Sequence, residues 1–187
     1  MEAFLVSLST VALAEIGDRT QLLTLMLAAR FRKPWPILAG ILCATLANHL
    51  LAAFVGVHIA RYLTPSILDG AVGASLIGMA LWALKPDRLN GSTAGAPRVG
   101  AFVATLVTFF LAEMGDKTQI ATLALAAAYS NLIVVVAGTT TGMMLANAPV
   151  VFFGQLFSER LPLRAIHYIA SALFFALGVV FLVRALS

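Results

Sequence analysis

Apolar residues run almost unbroken through six stretches of the chain, roughly 2–29, 34–60, 66–85, 99–128, 131–157 and 164–186. About 20 apolar residues are enough for a helix to cross the ~30 Å hydrocarbon core of a bilayer, and each stretch reaches that length. The pattern predicts an all-α membrane protein with six transmembrane helices. The stretches are separated by turn-forming, mostly basic breakers: Arg30-Phe-Arg-Lys-Pro34, Arg61-Tyr-Leu-Thr-Pro65, Tyr129-Ser-Asn131 and Ser158-Glu-Arg-Leu-Pro162. Only the polar segment from Lys85 to Arg98 reads as a linker.

If the ends of the six spans alternate between the two faces, one face receives Arg30, Arg32, Lys33, Lys85, Arg88, Arg98, Arg160 and Arg164, and the other only Arg61 and Arg184. Cytoplasmic loops carry the excess of Lys and Arg, so the first face is expected in the cytoplasm and both termini outside it. A bacterial inner or plasma membrane fits this multi-pass layout. Met1 to Ser9 carries no basic segment of the kind that opens a signal peptide, and no cleaved leader is expected.

Composition agrees with the pattern. Of 187 residues 61% are apolar and 11% charged, with a mean hydropathy of +0.98, whereas a soluble domain has about 25% charged residues. Six spans leave no length for a separate soluble catalytic or nucleic-acid-binding domain, and the net charge of +4 is explained by topology rather than by a nucleic-acid partner. The single cysteine, Cys43, excludes an intrachain disulfide and a cysteine-cluster metal site. Function has to reside within the spans.

The chain repeats itself. Ala14-Glu-Ile-Gly-Asp-Arg-Thr-Gln21 overlies Ala112-Glu-Met-Gly-Asp-Lys-Thr-Gln119 at the same offset that sets Ala39-Gly40 over Ala137-Gly138, and Leu46-Ala-Asn48 overlies Leu145-Ala-Asn147 with a one-residue slip. Each half contributes three spans, and an odd number makes the second half enter the membrane from the opposite side. The expected organisation is a first three-helix repeat over 1–85, a cytoplasmic linker over 86–98 and an inverted second repeat over 99–187. Inverted repeats characterise secondary transporters, with substrate sites near the midplane between the repeats.

Each repeated motif places charge at mid-span, where an acidic or basic residue costs roughly 2.5–3.5 kcal/mol on insertion scales. Glu15, Asp18, Arg19, Glu113, Asp116 and Lys117 persist there only if they face an interior site and compensate one another. On a continuous helix, residues three apart share a face, which would set Asp18 beside Glu15 and Asp116 beside Glu113, with Gln21 and Gln119 one turn further. Four carboxylates would then converge where the two helices cross. Hard oxygen ligands suit Mg²⁺, Ca²⁺ or Mn²⁺, and four acids with two bases leave a formal −2 for one dication. Arg19 and Lys117 are the expected charge compensation, and a salt bridge without an ion is the competing reading of a single motif. Thr20, Thr118, Asn48, Asn147, Gln21 and Gln119 are auxiliary candidates for the metal or for proton coupling. Gly17 and Gly115 permit close approach or local unwinding, and with Pro149 they are candidate gate positions. His49, unmatched in the other half, reads as a hydrogen-bonded packing residue, and Met114 inside the motif would favour a transition metal.

Glu15-Ile-Gly-Asp-Arg-Thr20 and Glu113-Met-Gly-Asp-Lys-Thr118 match Glu-x-Gly-Asp-(Lys/Arg)-(Thr/Ser) at every fixed position. The chain resembles, over essentially its whole length, the cation/proton exchanger family that includes bacterial manganese exporters and the Golgi and chloroplast manganese/calcium transporters. The resemblance implies Mn²⁺ or Ca²⁺ as cargo, H⁺ as the counter-ion, no prosthetic group, and Glu15, Asp18, Glu113 and Asp116 as ligands. It leaves a Ca²⁺-preferring exchanger open, and the residues alone leave an exporter of a small cationic metabolite open. An intramembrane enzyme is not expected, because no nucleophile or His-rich constellation accompanies the acids. The partners expected are the metal ion, protons and the lipid bilayer, with no nucleic acid; nothing in the sequence fixes an oligomeric state.

Overall fold

The computed structural model describes residues 1–84, 100–129, 131–153 and 163–187, and the regular elements among them are all helices, with no strand. The helices are α1 (Glu2–Glu15), α2 (Arg19–Phe31), α3 (Pro34–Ala60), α4 (Pro65–Ala83), α5 (Ala101–Glu113), α6 (Lys117–Tyr129), α7 (Leu132–Phe153) and α8 (Leu163–Leu186). The expected linker 86–98, with Arg88 and Arg98, lies outside the described residues, as do Lys85, Arg160 and the side chains of Arg164 and His167.

Four of the six apolar stretches are single helices, α3, α4, α7 and α8, long and apolar enough to cross a membrane. The other two are not continuous, which corrects the expectation for 2–29 and 99–128. Each stops at the motif glutamate and restarts within four residues. Gly17 and Gly115 take φ of +83° and +76°, the left-handed region that only glycine enters without a Cβ penalty. Ile16 and Met114 before them are extended, with ψ of 119° in each. Half-helices of 13 or 14 residues rise about 20 Å each, so a pair is long enough to cross a ~30 Å core with its break near the middle. Glu15 and Asp18 therefore do not share a helical face as their spacing predicts, since residues 16–18 are not helical.

The two broken pairs pack against the partner half. The α1–α2 pair lies along α7, and α5–α6 along α3. At the starts of these contacts a methyl group on Gly138 would lie 2.6 Å from the Phe4 carbonyl oxygen, and one on Gly40 would lie 2.9 Å from the Phe102 carbonyl oxygen. The same glycine thus meets the same phenylalanine position in both halves. Further along, Gly56 near the end of α3 lies against the Leu123 backbone of α6, and the Tyr129 hydroxyl at the end of α6 donates to Glu2 at the start of α1. The helices α4 and α8 pack antiparallel: Ser171 of α8 donates to the Ala80 carbonyl at 2.8 Å, Ser66 to that of Ala185, and a methyl on Gly73 would meet the Gly178 carbonyl at 2.8 Å. Lipid offers no hydrophobic drive to helix association, so close packing of small residues has to supply it. The buried contacts accordingly draw on Ala14, Ala80, Ala83, Ala121, Ala124 and Ala127 around Leu76, Phe174 and Phe181. Pro149 sits inside α7, and the helix continues through it to Phe153.

Candidate functional site

The two breaks meet at the centre of the fold. Breaking a helix inside a protein frees amide and carbonyl groups that need new partners, and each motif supplies its own. The Gly17 amide donates to Gln21 Oε1 at 2.9 Å, and the Gly115 amide to Gln119 Oε1 at 2.7 Å. The Asp18 amide donates to the Glu15 carbonyl and the Asp116 amide to that of Glu113, both at 3.1 Å. Gln21 and Gln119, read from sequence as auxiliary ligands, are thus engaged in building the breaks. A helix-start signal for this was present: an acidic residue followed three positions later by Gln resembles a capping box.

The glutamates end α1 and α5, while Asp18 and Asp116 stand at the start of α2 and α6. All four carboxylates are buried. Thr20 donates to Glu15 Oε2 at 2.7 Å and Thr118 to Glu113 Oε2 at 3.1 Å, so both threonines fix a glutamate. The other oxygens, Glu15 Oε1 and Glu113 Oε1, accept no hydrogen bond, and neither does Asp116 Oδ2. A buried acceptor without a donor costs about 1–3 kcal/mol, and three in one place call for a cation. One oxygen from each of Glu15, Glu113 and Asp116 lies within 4.8 Å of the others, a spread that a single oxygen-ligated ion could bridge with ligand distances of about 2.0–2.6 Å and modest side-chain adjustment.

Three acids cluster rather than the four expected. Asp18 lies outside that group, and its Oδ1 accepts from Lys117 Nζ at 2.8 Å. The bases work across the halves. Lys117 of the second motif pairs with Asp18 of the first, and Arg19 of the first pairs with Asp116 of the second at 3.0 Å while also donating to the Ala112 carbonyl at 2.9 Å. The two pairs differ in surroundings, since the Arg19 side chain is 38% exposed and the Lys117 side chain 5%. Both ion pairs and all three clustered oxygens together carry a formal −2.

A second polar layer surrounds the acids. Gln21 Nε2 donates to the Ala146 carbonyl and Thr24 to Asn147 Oδ1 at 2.7 Å, tying α2 to α7. Asn48 donates to the Phe110 carbonyl at 3.0 Å, tying α3 to α5. Asn48 and Asn147 thus brace the helices that carry the motifs. His49 departs from expectation: it is buried, yet neither ring nitrogen has a hydrogen-bond partner. Met114 is exposed beside the cluster.

Comparison with known proteins agrees with this chemistry. A protein of Vibrio cholerae with the name "Putative manganese exporter" is 52% identical over 175 residues, which cover 93% of this chain and 87% of that protein. A GDT1-like protein of Synechocystis is 27% identical over 96% of both chains, and the chloroplastic GDT1-like protein 1 of Oryza sativa is 38% identical over 54% of this chain and 30% of its own length. No solved structure matches. The family model described as divalent cation/proton antiporter GDT1 matches residues 3–91 and 101–187, and this chain belongs to that family.

Proposed function

We propose that this protein exports Mn²⁺ from the cytoplasm across a bacterial plasma membrane in exchange for protons, with Glu15, Glu113 and the two motif aspartates as the groups that bind both. The observation that carries the reading is the cluster of Glu15, Glu113 and Asp116, each with a buried oxygen that no donor satisfies. All-oxygen donors suit either ion, and Mn²⁺ is favoured over Ca²⁺ as cargo because a relative 52% identical over 87% of its own length bears a manganese exporter's name.

Crowded carboxylates in a low-dielectric site resist being ionised together, and a metal binds only after protons leave its ligands. The −2 left by Glu15, Glu113 and Asp116 beside Arg19 is neutralised by one dication or by two protons, so the two cargoes exclude each other. Rocking of the two halves about the shared site would turn that exclusion into exchange.

The same reading makes the chain two inverted three-span repeats, with the broken pairs α1–α2 and α5–α6 as the first span of each. Several contacts support it. α5–α6 runs parallel to α3, from Phe102 beside Gly40 to Leu123 beside Gly56, and α3 begins two residues after α2 ends. The pair α1–α2 therefore runs the other way, and Tyr129 reaching Glu2 fits that direction. On this reading the 85–98 segment and the 30–33 turn face the cytoplasm and both termini face away from it.

In proteoliposomes, a pH gradient with the acidic side opposite the loaded metal should drive Mn²⁺ towards that acidic side and carry protons back. Low pH on the metal-loading side should weaken apparent Mn²⁺ affinity. Glu15→Gln and Glu113→Gln, near-isosteric changes that lower insertion cost, should each reduce flux by more than the roughly 10–100-fold tied to outer-shell partners of metal sites. Mn²⁺ flux that neither moves protons nor answers to the gradient would mark a uniporter and overturn the proposal.

A further inference from the structure

The two aspartates do not stand in equivalent places, although their motifs are equivalent in sequence. Both aspartates pair with a base through Oδ1, yet Asp116 also contributes an oxygen to the cluster with Glu15 and Glu113, and Asp18 lies outside that group. The bases differ in the same sense. Lys117 is enclosed, while Arg19 is 38% exposed, and its Nε has no partner although its Nη2 makes two bonds. Met114 and Gly115 of the second break are exposed, and Ile16 and Gly17 of the first are only half-buried. The surroundings of the cluster are therefore more open beside Arg19 and the second break than beside Lys117 and the first.

From this asymmetry we infer that the metal site is two overlapping three-carboxylate sites used in turn. Glu15 and Glu113 belong to both; Asp116 completes the site in the state seen here, and Asp18 completes it in the opposite state. Because the halves repeat, exchanging their roles generates that opposite state. Lys117 then becomes the accessible base and releases Asp18 to the cluster, and Arg19 becomes the enclosed one and withdraws Asp116. The ion keeps two ligands throughout and trades one aspartate for the other as the carrier turns over. Each base stays tethered to its aspartate; the accessible one leaves the aspartate's second oxygen to the ion and the enclosed one holds its aspartate away from it, which makes Arg19 and Lys117 positioning residues with opposite sidedness. The inference rests on the exchange mechanism proposed above and assigns separate duties within it.

A site held by four permanent carboxylates predicts that losing either aspartate weakens Mn²⁺ binding equally from both faces of the membrane. Alternating sites predict a split. In proteoliposomes of defined orientation, with Mn²⁺ supplied from one face at a time, Asp116→Asn should raise the KM for Mn²⁺ about tenfold or more from one face and less than about twofold from the other, and Asp18→Asn should show the reverse. Arg19→Gln should lower the KM from the face where Asp116→Asn raises it, and Lys117→Gln from the opposite face; Arg19→Lys should restore the wild-type value. Equal KM changes from both faces for both aspartate variants would overturn the alternating sites while leaving antiport intact. Wild-type flux in both aspartate variants and in Glu15→Gln would instead bring down the carboxylate site itself. If an aspartate variant does not assemble, the sided KM shifts of the Arg19 and Lys117 variants decide the matter, because a merely structural base would alter both faces alike.

Discussion

The break between α1 and α2 and the break between α5 and α6 share six-residue chemistry, the same left-handed glycine and the same glutamine folded back onto the glycine amide. Their surroundings differ. The Lys117 side chain is enclosed, while that of Arg19 is 38% exposed; Thr24 bonds across to Asn147, while its counterpart Thr122 bonds back to the Thr118 carbonyl of its own helix. Covalent near-equivalence with conformational inequivalence is what a two-state carrier built from a repeat requires, since two identical environments would leave no side for the ion to enter. The local sequence is shared by the two breaks, and the difference between them lies in how the rest of each half packs around them.

The sharpest way to break this comparison is to remove each base. Truncating one partner of a buried ion pair leaves an uncompensated buried charge and costs about 3–5 kcal/mol. Lys117→Met should therefore lower stability by that amount, with Asp18→Asn in the same chain restoring much of it. Arg19→Met should cost less, because the Arg19 side chain is 38% exposed where that of Lys117 is 5%, although Asp116 stays buried in either case. Thermal unfolding in detergent micelles measures both. Equal losses would mean that the two ion pairs occupy equivalent environments after all.

Much of this was legible in the sequence because it depends on identity and spacing. The repeat, the apolar stretches and the acids at mid-span follow from period and composition, and the duplicated motif points to the family. What was not legible is geometric. Spacing alone predicts a continuous helix across Gly17 and Gly115, and the structure departs from it because a glycine can take either sign of φ and only the surrounding polar groups decide. The cross-pairing of Lys117 with Asp18 and of Arg19 with Asp116 is a long-range contact with no sequence signature, and so is the separation of Asp18 from the other three acids. His49 was expected to be hydrogen-bonded, yet both ring nitrogens are buried without a partner; the sequence shows its neighbours along α3 but not the faces packed against it.

The glycines offer a control of intermediate size. With φ of +83° and +76°, an alanine at Gly17 or Gly115 would be held in a conformation costing about 1–2 kcal/mol. No neighbour crowds a methyl group at Gly115, so backbone strain alone sets its cost there. Strain of this size should appear in both variants, in contrast to the unequal bases, and circular dichroism melts would register it. A loss at one glycine several times that at the other would place the asymmetry in the breaks themselves instead of in what surrounds them.

The smallest effect tests the outer layer. Thr24→Val removes the 2.7 Å bond to Asn147 with little change in volume, and hydrogen bonds between membrane helices are worth on average about 0.6 kcal/mol, or roughly threefold in a population. Thr122→Val removes a bond to the carbonyl four residues earlier in its own helix, which is local and does little to hold this state. In the opposite state the roles exchange: Thr122 would face Asn48, and Thr24 would fold back. The two substitutions therefore destabilise different states, and a ligand-free equilibrium responds to the difference between states, not to the total. Measured as Mn²⁺ KM from one face of oriented proteoliposomes, Thr24→Val and Thr122→Val should move the value in opposite senses by up to about threefold. Shifts in the same sense would mean that these threonines only brace the fold, and that the unequal bonding of the two halves has no part in choosing which face the site serves.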